Sequence, residues 1–108
     1  MLSTFFVHSI AYAPIGCYAD KPARAVPNMD KSVGGGNYKA RKDAVKKCFN
    51  MAAKKGLTVF AIQDGGWCAA GKDLAAAKKY GKSTACKGGK GGPWANSVYI
   101  IRRGQLRG

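Results

Sequence analysis

Residues 57–68 read LTVFAIQDGGWC, and the fold turns on them. The run 57–63 is β-branched, aromatic and almost wholly apolar, with no polar alternation until Gln63. A strand of that kind is covered on both faces, so it belongs near the centre of a sheet. Asp64-Gly65-Gly66 has the composition of a tight turn, and Trp67-Cys68-Ala69 reads as the strand returning from it. Upstream, residues 38–55 contain neither glycine nor proline, Asn37 stands where an N-cap is wanted, and Gly56 supplies the stop. This spacing predicts one main helix. Arg41, Val45, Cys48 and Ala52 share a face of it, with Tyr38 and Phe49 beside them, and lysines take the remainder.

Working outward, residues 15–20 (IGCYAD) read as a short strand closed by Asp20-Lys21-Pro22. Residues 23–26 read as extended, and 30–36 (DKSVGGG) as a flexible loop. Residues 73–80 form a short alanine-rich helix stopped by Gly81, and 87–93 (KGGKGGP) a basic loop. The last strand covers 97–102 (SVYIIR), leaving 103–108 as a basic flexible tail. The sum is an α+β domain over residues 14–102, a small and mostly antiparallel sheet packed against one main helix. Residues 1–13 (MLSTFFVHSIAYA) have two readings, the remnant of a signal segment ending in Ala-Tyr-Ala or the first strand of the domain. No apolar run is long enough to cross a bilayer as a helix.

The charge is lopsided. Nineteen Lys and Arg stand against five Asp and no Glu, a formal net charge of +14 over 108 residues. Self-repulsion on that scale opposes compactness and favours association with polyanions. Sulfated or uronic glycans, anionic membrane faces and nucleic acid all qualify on charge alone. The four cysteines, Cys17, Cys48, Cys68 and Cys86, are widely spaced, and the single His8 is far from all of them in sequence. That is not the close-paired spacing of a zinc site, so no metal is expected. An even count in a short chain fits two disulfides and an oxidising compartment, with three pairings open.

Catalytic motifs are not found. Gly81-Lys82-Ser83 resembles the end of a phosphate-binding loop, but the first glycine of that motif falls on Ala76, and a helix rather than a strand precedes it. There is no carboxylate pair and no Cys-His constellation, so the expectation is a binding module without cofactor and not an enzyme. The candidate contacts lie at two places. Gln63 and Asp64 at the strand end offer fork-like hydrogen-bonding groups suited to sugar hydroxyls, and the Trp67 indole offers an apolar face for a sugar ring. Trp94 and Asn96 in GGPWAN repeat that combination, with Lys87 and Lys90 nearby in sequence to favour an acidic glycan.

These residues carry a resemblance. Gly16-Cys17-Tyr18-x-Asp20, Arg24-Ala25-Val26, a helix with Cys48, then FAIQDGGWC and the closing Val98-Tyr99-Ile100 are similar to the WSC domains, which are related in style to PAN/apple domains. The resemblance implies a secreted or extracellular carbohydrate- or protein-binding module. By the same analogy Cys48 pairs with Cys68, leaving Cys17 for Cys86. WSC domains typically carry eight cysteines, one in a Cys-x-Cys after the glycine turn, where this chain has Ala70. Two other expectations compete with a glycan-binding module. One is a cationic host-defence protein acting on anionic microbial surfaces. The other is a nucleic-acid binder, which the lack of any nucleic-acid-binding motif makes the weakest of the three.

Overall fold

A computed structural model describes residues 6–107, with side chains from Ser9 to Gly104. The strands are β1 (Phe6–Ala19), β2 (Val59–Gln63), β3 (Trp67–Gly71) and β4 (Ala95–Arg107). They form one antiparallel sheet in the order β1-β4-β2-β3. The helical pieces are α1 (Asp30–Val33), a 3-10 turn (Tyr38–Ala40), α2 (Ala44–Lys54) and α3 (Leu74–Ala77). This is the α+β class that the sequence predicts, stapled by disulfides Cys17–Cys86 and Cys48–Cys68.

Both faces of β2 are covered, which is why it shows no polar alternation. Phe60, Ile62, Cys68, Ala70 and Tyr99 face α2 and pack on Cys48 and Ala52. Phe60 and Tyr99 stack there with ring centroids 4.9 Å apart. Ala70, where the resemblance would put a cysteine, is fully buried in this cluster. The opposite face carries Val59, Ala61, Trp67, Ala69 and Val98, covered by Ala25 and Val26 of the segment after β1 and by Ala77 of α3.

Several elements differ from their expected bounds, each for a local reason. The main helix is split. Asn37 caps only the 3-10 turn, accepting from the Lys39 N–H, and α2 starts afresh after Asp43 in the left-handed region at φ 51°. Arg41 therefore lies between the two pieces and not on the α2 face. Its guanidinium pairs with Asp30 at 2.6 Å and donates to the Gly34 and Gly66 carbonyls, and those three bonds outweigh helix continuity. Val45 is half-buried, and Ala44 takes the fully covered position. Residues 23–26 bend and do not run extended, and 30–33 of the expected loop form α1.

The ends differ most. The short strand at 15–20 is the last part of a 14-residue strand that begins at Phe6, so residues 6–13 are strand, while 1–5 of the signal-like stretch lie outside the described residues. Residues 103–107, expected as a flexible tail, continue β4. The cause is mutual: Phe6 to Ala13 pair in register with Arg107 to Ile100, so each segment supplies the ladder that the other needs.

The glycine-rich segment 87–92 is tied down. Tyr99 Oη donates to the Gly89 carbonyl at 2.6 Å, and Gly91 N–H donates to Ser97 Oγ at 2.8 Å. A Cβ on Gly91 would stand 2.2 Å from the Ile62 carbonyl oxygen, so only glycine fits against the β2 backbone.

The disulfides close spans of 69 and 20 residues in a chain working against its own charge. Chain entropy puts their contributions at about 4 and about 3 kcal/mol. Non-reducing peptide mapping is expected to link Cys17 to Cys86 and Cys48 to Cys68. Replacing either pair with alanine should lower the denaturation midpoint accordingly. Four free thiols in the native protein would contradict this account.

Candidate functional site

Strand register builds the site. Tyr18 on β1 lies opposite Asn96 on β4, Asn96 opposite Gln63 on β2, and Gln63 opposite Trp67 on β3. The four side chains form a row across one end of the sheet, on the face away from α2. The middle two are polar and buried, so they need partners. Gln63 Nε2 donates to Asn96 Oδ1 at 2.9 Å and to Asp20 Oδ2 at 2.8 Å.

Asp20 is the first residue after β1 and completes the row from the side. Its carboxylate side chain is fully buried. Oδ1 accepts from the Ala25 N–H at 2.9 Å, and Oδ2 accepts from Arg24 Nη1 at 2.9 Å. Burial raises the pKa of this group, but the hydrogen bonds from Ala25, Arg24, Lys21 and Gln63 outweigh it and leave the pKa below the usual carboxylate value. The segment from Asp20 to Ala25 is thus wrapped around its own carboxylate, which aims Arg24 back across the row.

Arg24 then meets both tryptophans. Its guanidinium carbon lies 4.3 Å from the Trp67 ring centroid and 4.6 Å from that of Trp94, within cation–π range of each. Trp67 is 9% exposed and forms the floor, whereas Trp94 is 49% exposed and forms the outer wall. Trp94 sits with Pro93 at the tip of a two-residue turn closed by the Gly92–Ala95 backbone pair, and its φ is +50°. Glycine is the ordinary occupant of such a position. An indole held there carries backbone strain, a feature that collects at functional sites. The Trp94 carbonyl accepts from the Asp20 N–H at 2.9 Å, so the turn is pinned to the same carboxylate-bearing residue.

The other expected contacts lie next door. Asp64, Lys87 and Lys90 line one shallow depression with Pro93. Backbone bonds from Asp64 to Gly92 and from Gly65 to Lys90 join the β2–β3 turn to the glycine loop. Asp64 accepts from Tyr38 Oη at 3.1 Å and pairs with Lys39 at 3.4 Å. Lys87 and Lys90 are exposed. The seven expected residues therefore fall into two adjoining groups. Gln63, Asn96, Trp67 and Trp94 meet through Arg24 and Asp20, and Asp64, Lys87 and Lys90 meet at the depression. Gln63 and Asn96 face inward, as props for the indole–guanidinium stack and not as part of its surface.

Arg24 and Asp20 are absent from the contacts expected on sequence grounds. Their signal was the scarcity of acid. With five Asp against nineteen cations, an Asp four residues before an Arg, at the end of a strand, is a candidate for a specific pair.

Comparison with known proteins gives a family. A family model described as WSC domain matches residues 14–92, a span that contains β2, β3, the three α-helices and all four cysteines and ends before β4. No curated protein matches the chain. Among the described residues no helix is long and apolar enough to cross a membrane.

The Asp20 pKa has a testable sign. A carboxyl whose folded-state pKa is lowered stabilises the fold above its unfolded value, and that stability is lost as pH falls through the lowered one. The protein should hold its stability through neutral pH and lose part of it on acidification below the usual carboxylate range. Asp20→Asn should be less stable at neutral pH and lack that part of the acid dependence. Urea denaturation across the pH range checks it, and parallel profiles for the two proteins would contradict it.

Proposed function

The chain belongs to the WSC domain family, whose members are carbohydrate-binding-like modules, and we propose that it is a glycan-binding module that holds its ligand on the Trp94–Arg24 face and performs no chemistry on it. The observation that carries this reading is the half-exposed Trp94 indole, held at a strained backbone position and backed by a guanidinium that a buried carboxylate fixes in place. An indole presents an apolar face to the C–H face of a sugar ring. The free edges of Arg24 and the groups around the adjoining depression supply donors for hydroxyls and acidic substituents.

Lys87 and Lys90 on the rim of that depression, with a net charge of +14, support a preference for acidic glycans over neutral ones. The non-catalytic part of the proposal rests on the state of the site's carboxylates. Asp20 is held in its ionised form among four donors and is not poised to deliver a proton, and Asp64 is engaged by Lys39 and Tyr38. Two disulfides and a family typical of extracellular and cell-wall proteins support secretion as the route by which the chain reaches its ligand.

A glycan array read at low and at physiological salt tests the class of ligand. Discrete hits that persist with salt are expected, and uniform loss of all signal with salt would mean charge attraction alone. On the best hit, Trp94→Gly removes the ring while leaving a residue at ease with the positive φ. Affinity should fall about tenfold or more, with the denaturation midpoint unchanged or raised. Lys87→Glu with Lys90→Glu should instead slow association and alter its salt dependence. Full binding by the Trp94→Gly variant, with binding abolished by the lysine reversals, would defeat the proposal.

A further inference from the structure

The segment 20–24 (DKPAR) that delivers Arg24 to the tryptophans carries a second cation on its other side. Lys21 Nζ lies 4.9 Å from the Tyr80 ring centroid, and Lys79 Nζ lies 5.2 Å from the same centroid. The two ammonium groups are therefore within about 10 Å of each other, gathered by one ring. Tyr80 is itself fixed, its hydroxyl donating to the Ala23 carbonyl. Lys78 lies 6.0 Å from the Tyr18 centroid, and Lys82 pairs by backbone with Tyr18. All four lysines are exposed.

Among the described residues no carboxylate forms an ion pair with them. Asp20, Asp30 and Asp64 are paired with Arg24, Arg41 and Lys39, and Asp73 accepts from the Ala76 N–H as the cap of α3. Asp43 stands at the start of α2, and α2 packs on the other face of the sheet. Like charges gathered on one fixed ring, with no ion-paired carboxylate among the described residues, are complementary to an anion from outside. The cluster is also continuous with the tryptophan face. Lys21 and Arg24 are three residues apart, so their Cα atoms lie at most about 11 Å from each other. That is a span of about two sugar rings along an extended ligand.

We propose that Lys21 and Lys79, held on Tyr80, form an anion subsite for the sulfate groups of a sulfated glycan whose neighbouring ring rests on Trp94. The proposal rests on the glycan-binding reading above and extends it to Lys21 and Lys79, outside the Lys87 and Lys90 rim. It makes the ligand class a chain with sulfates spaced along it, read by an aromatic platform at one point and an ammonium cluster at the next.

The test uses a heparin-derived hexasaccharide and its desulfated counterpart, titrated calorimetrically at fixed ionic strength. Lys21→Ser with Lys79→Ser should weaken the sulfated ligand about tenfold or more, the size of effect expected when charge-assisted contacts are lost, and should leave the desulfated ligand unaffected. Lys46→Ser with Lys47→Ser, an equal charge change at exposed positions on α2, should cost far less. Equal losses in the two double variants would overturn the subsite, since net charge alone would then explain binding. So would equally tight binding of a DNA oligonucleotide of the same charge with the same lysine dependence. The Trp94→Gly variant separates the two readings. Loss of both ligands in that variant, with no special effect of Lys21 and Lys79, leaves the glycan platform standing and removes the subsite. A specific lysine effect with Trp94→Gly silent on both ligands removes the platform and keeps an anion site.

Discussion

One buried carboxylate organises the end of this domain that carries the candidate site. Asp20 lies where β1 ends, out of solvent, and a charge in that position is tolerated only when its lone pairs are filled. Filling them wraps the chain from Lys21 to Ala25 around it, draws Gln63 of the central strand across to it, and sets Arg24 over the sheet end. Each of these consequences places a group of the candidate site. Removing the carboxylate would leave Gln63 with one partner fewer in a buried row and Arg24 with no ion pair.

The same economy governs the other acidic residues. All five Asp stand at the ends of elements. Asp20 follows β1, Asp30 opens α1, Asp43 precedes α2, Asp64 follows β2 and Asp73 caps α3. Asp30 joins Arg41 to the Cys68 N–H, and Asp64 joins the hairpin turn to Tyr38 and Lys39. A chain with a net charge of +14 thus places its few anions at joints and leaves its lysines on the surface. The interior is held instead by apolar contact on both faces of the sheet and by Cys48–Cys68, which ties α2 to β3 through the larger-residue core.

Much of this was legible in the residues, and what was not has a physical reason. The run 57–69 showed its hairpin because a doubly covered strand and an Asp-Gly-Gly turn are both local signals. Gly56 showed the end of α2 because the left-handed stop, at φ 74°, is favoured by glycine. The break at Arg41 was hidden, since nothing within 38–55 disfavours a helix, and the carbonyls that capture the guanidinium come from Gly34 and Gly66. The outer halves of β1 and β4 were equally hidden, because each is a strand only by virtue of the other. In the site, Trp94 and Gln63 could be marked as unusual at their positions. Their connection ran through Asp20, 43 residues before Gln63, and depended on a strand register that no single segment encodes.

The Trp94–Arg24 face of the candidate site is shaped by this network, whereas the lysines around it bear on which glycans it prefers. The most direct test is a ¹⁵N NMR titration of the native protein with its best-bound oligosaccharide, following the tryptophan indole N–H and arginine Nε–H signals. The Trp94 indole and Arg24 signals should move together and saturate with one midpoint. In Asp20→Asn the Arg24 signal should broaden through exchange with water and the affinity fall. A stationary Trp94 indole, with shifts spread evenly over the lysine-rich face of α2, would contradict the account.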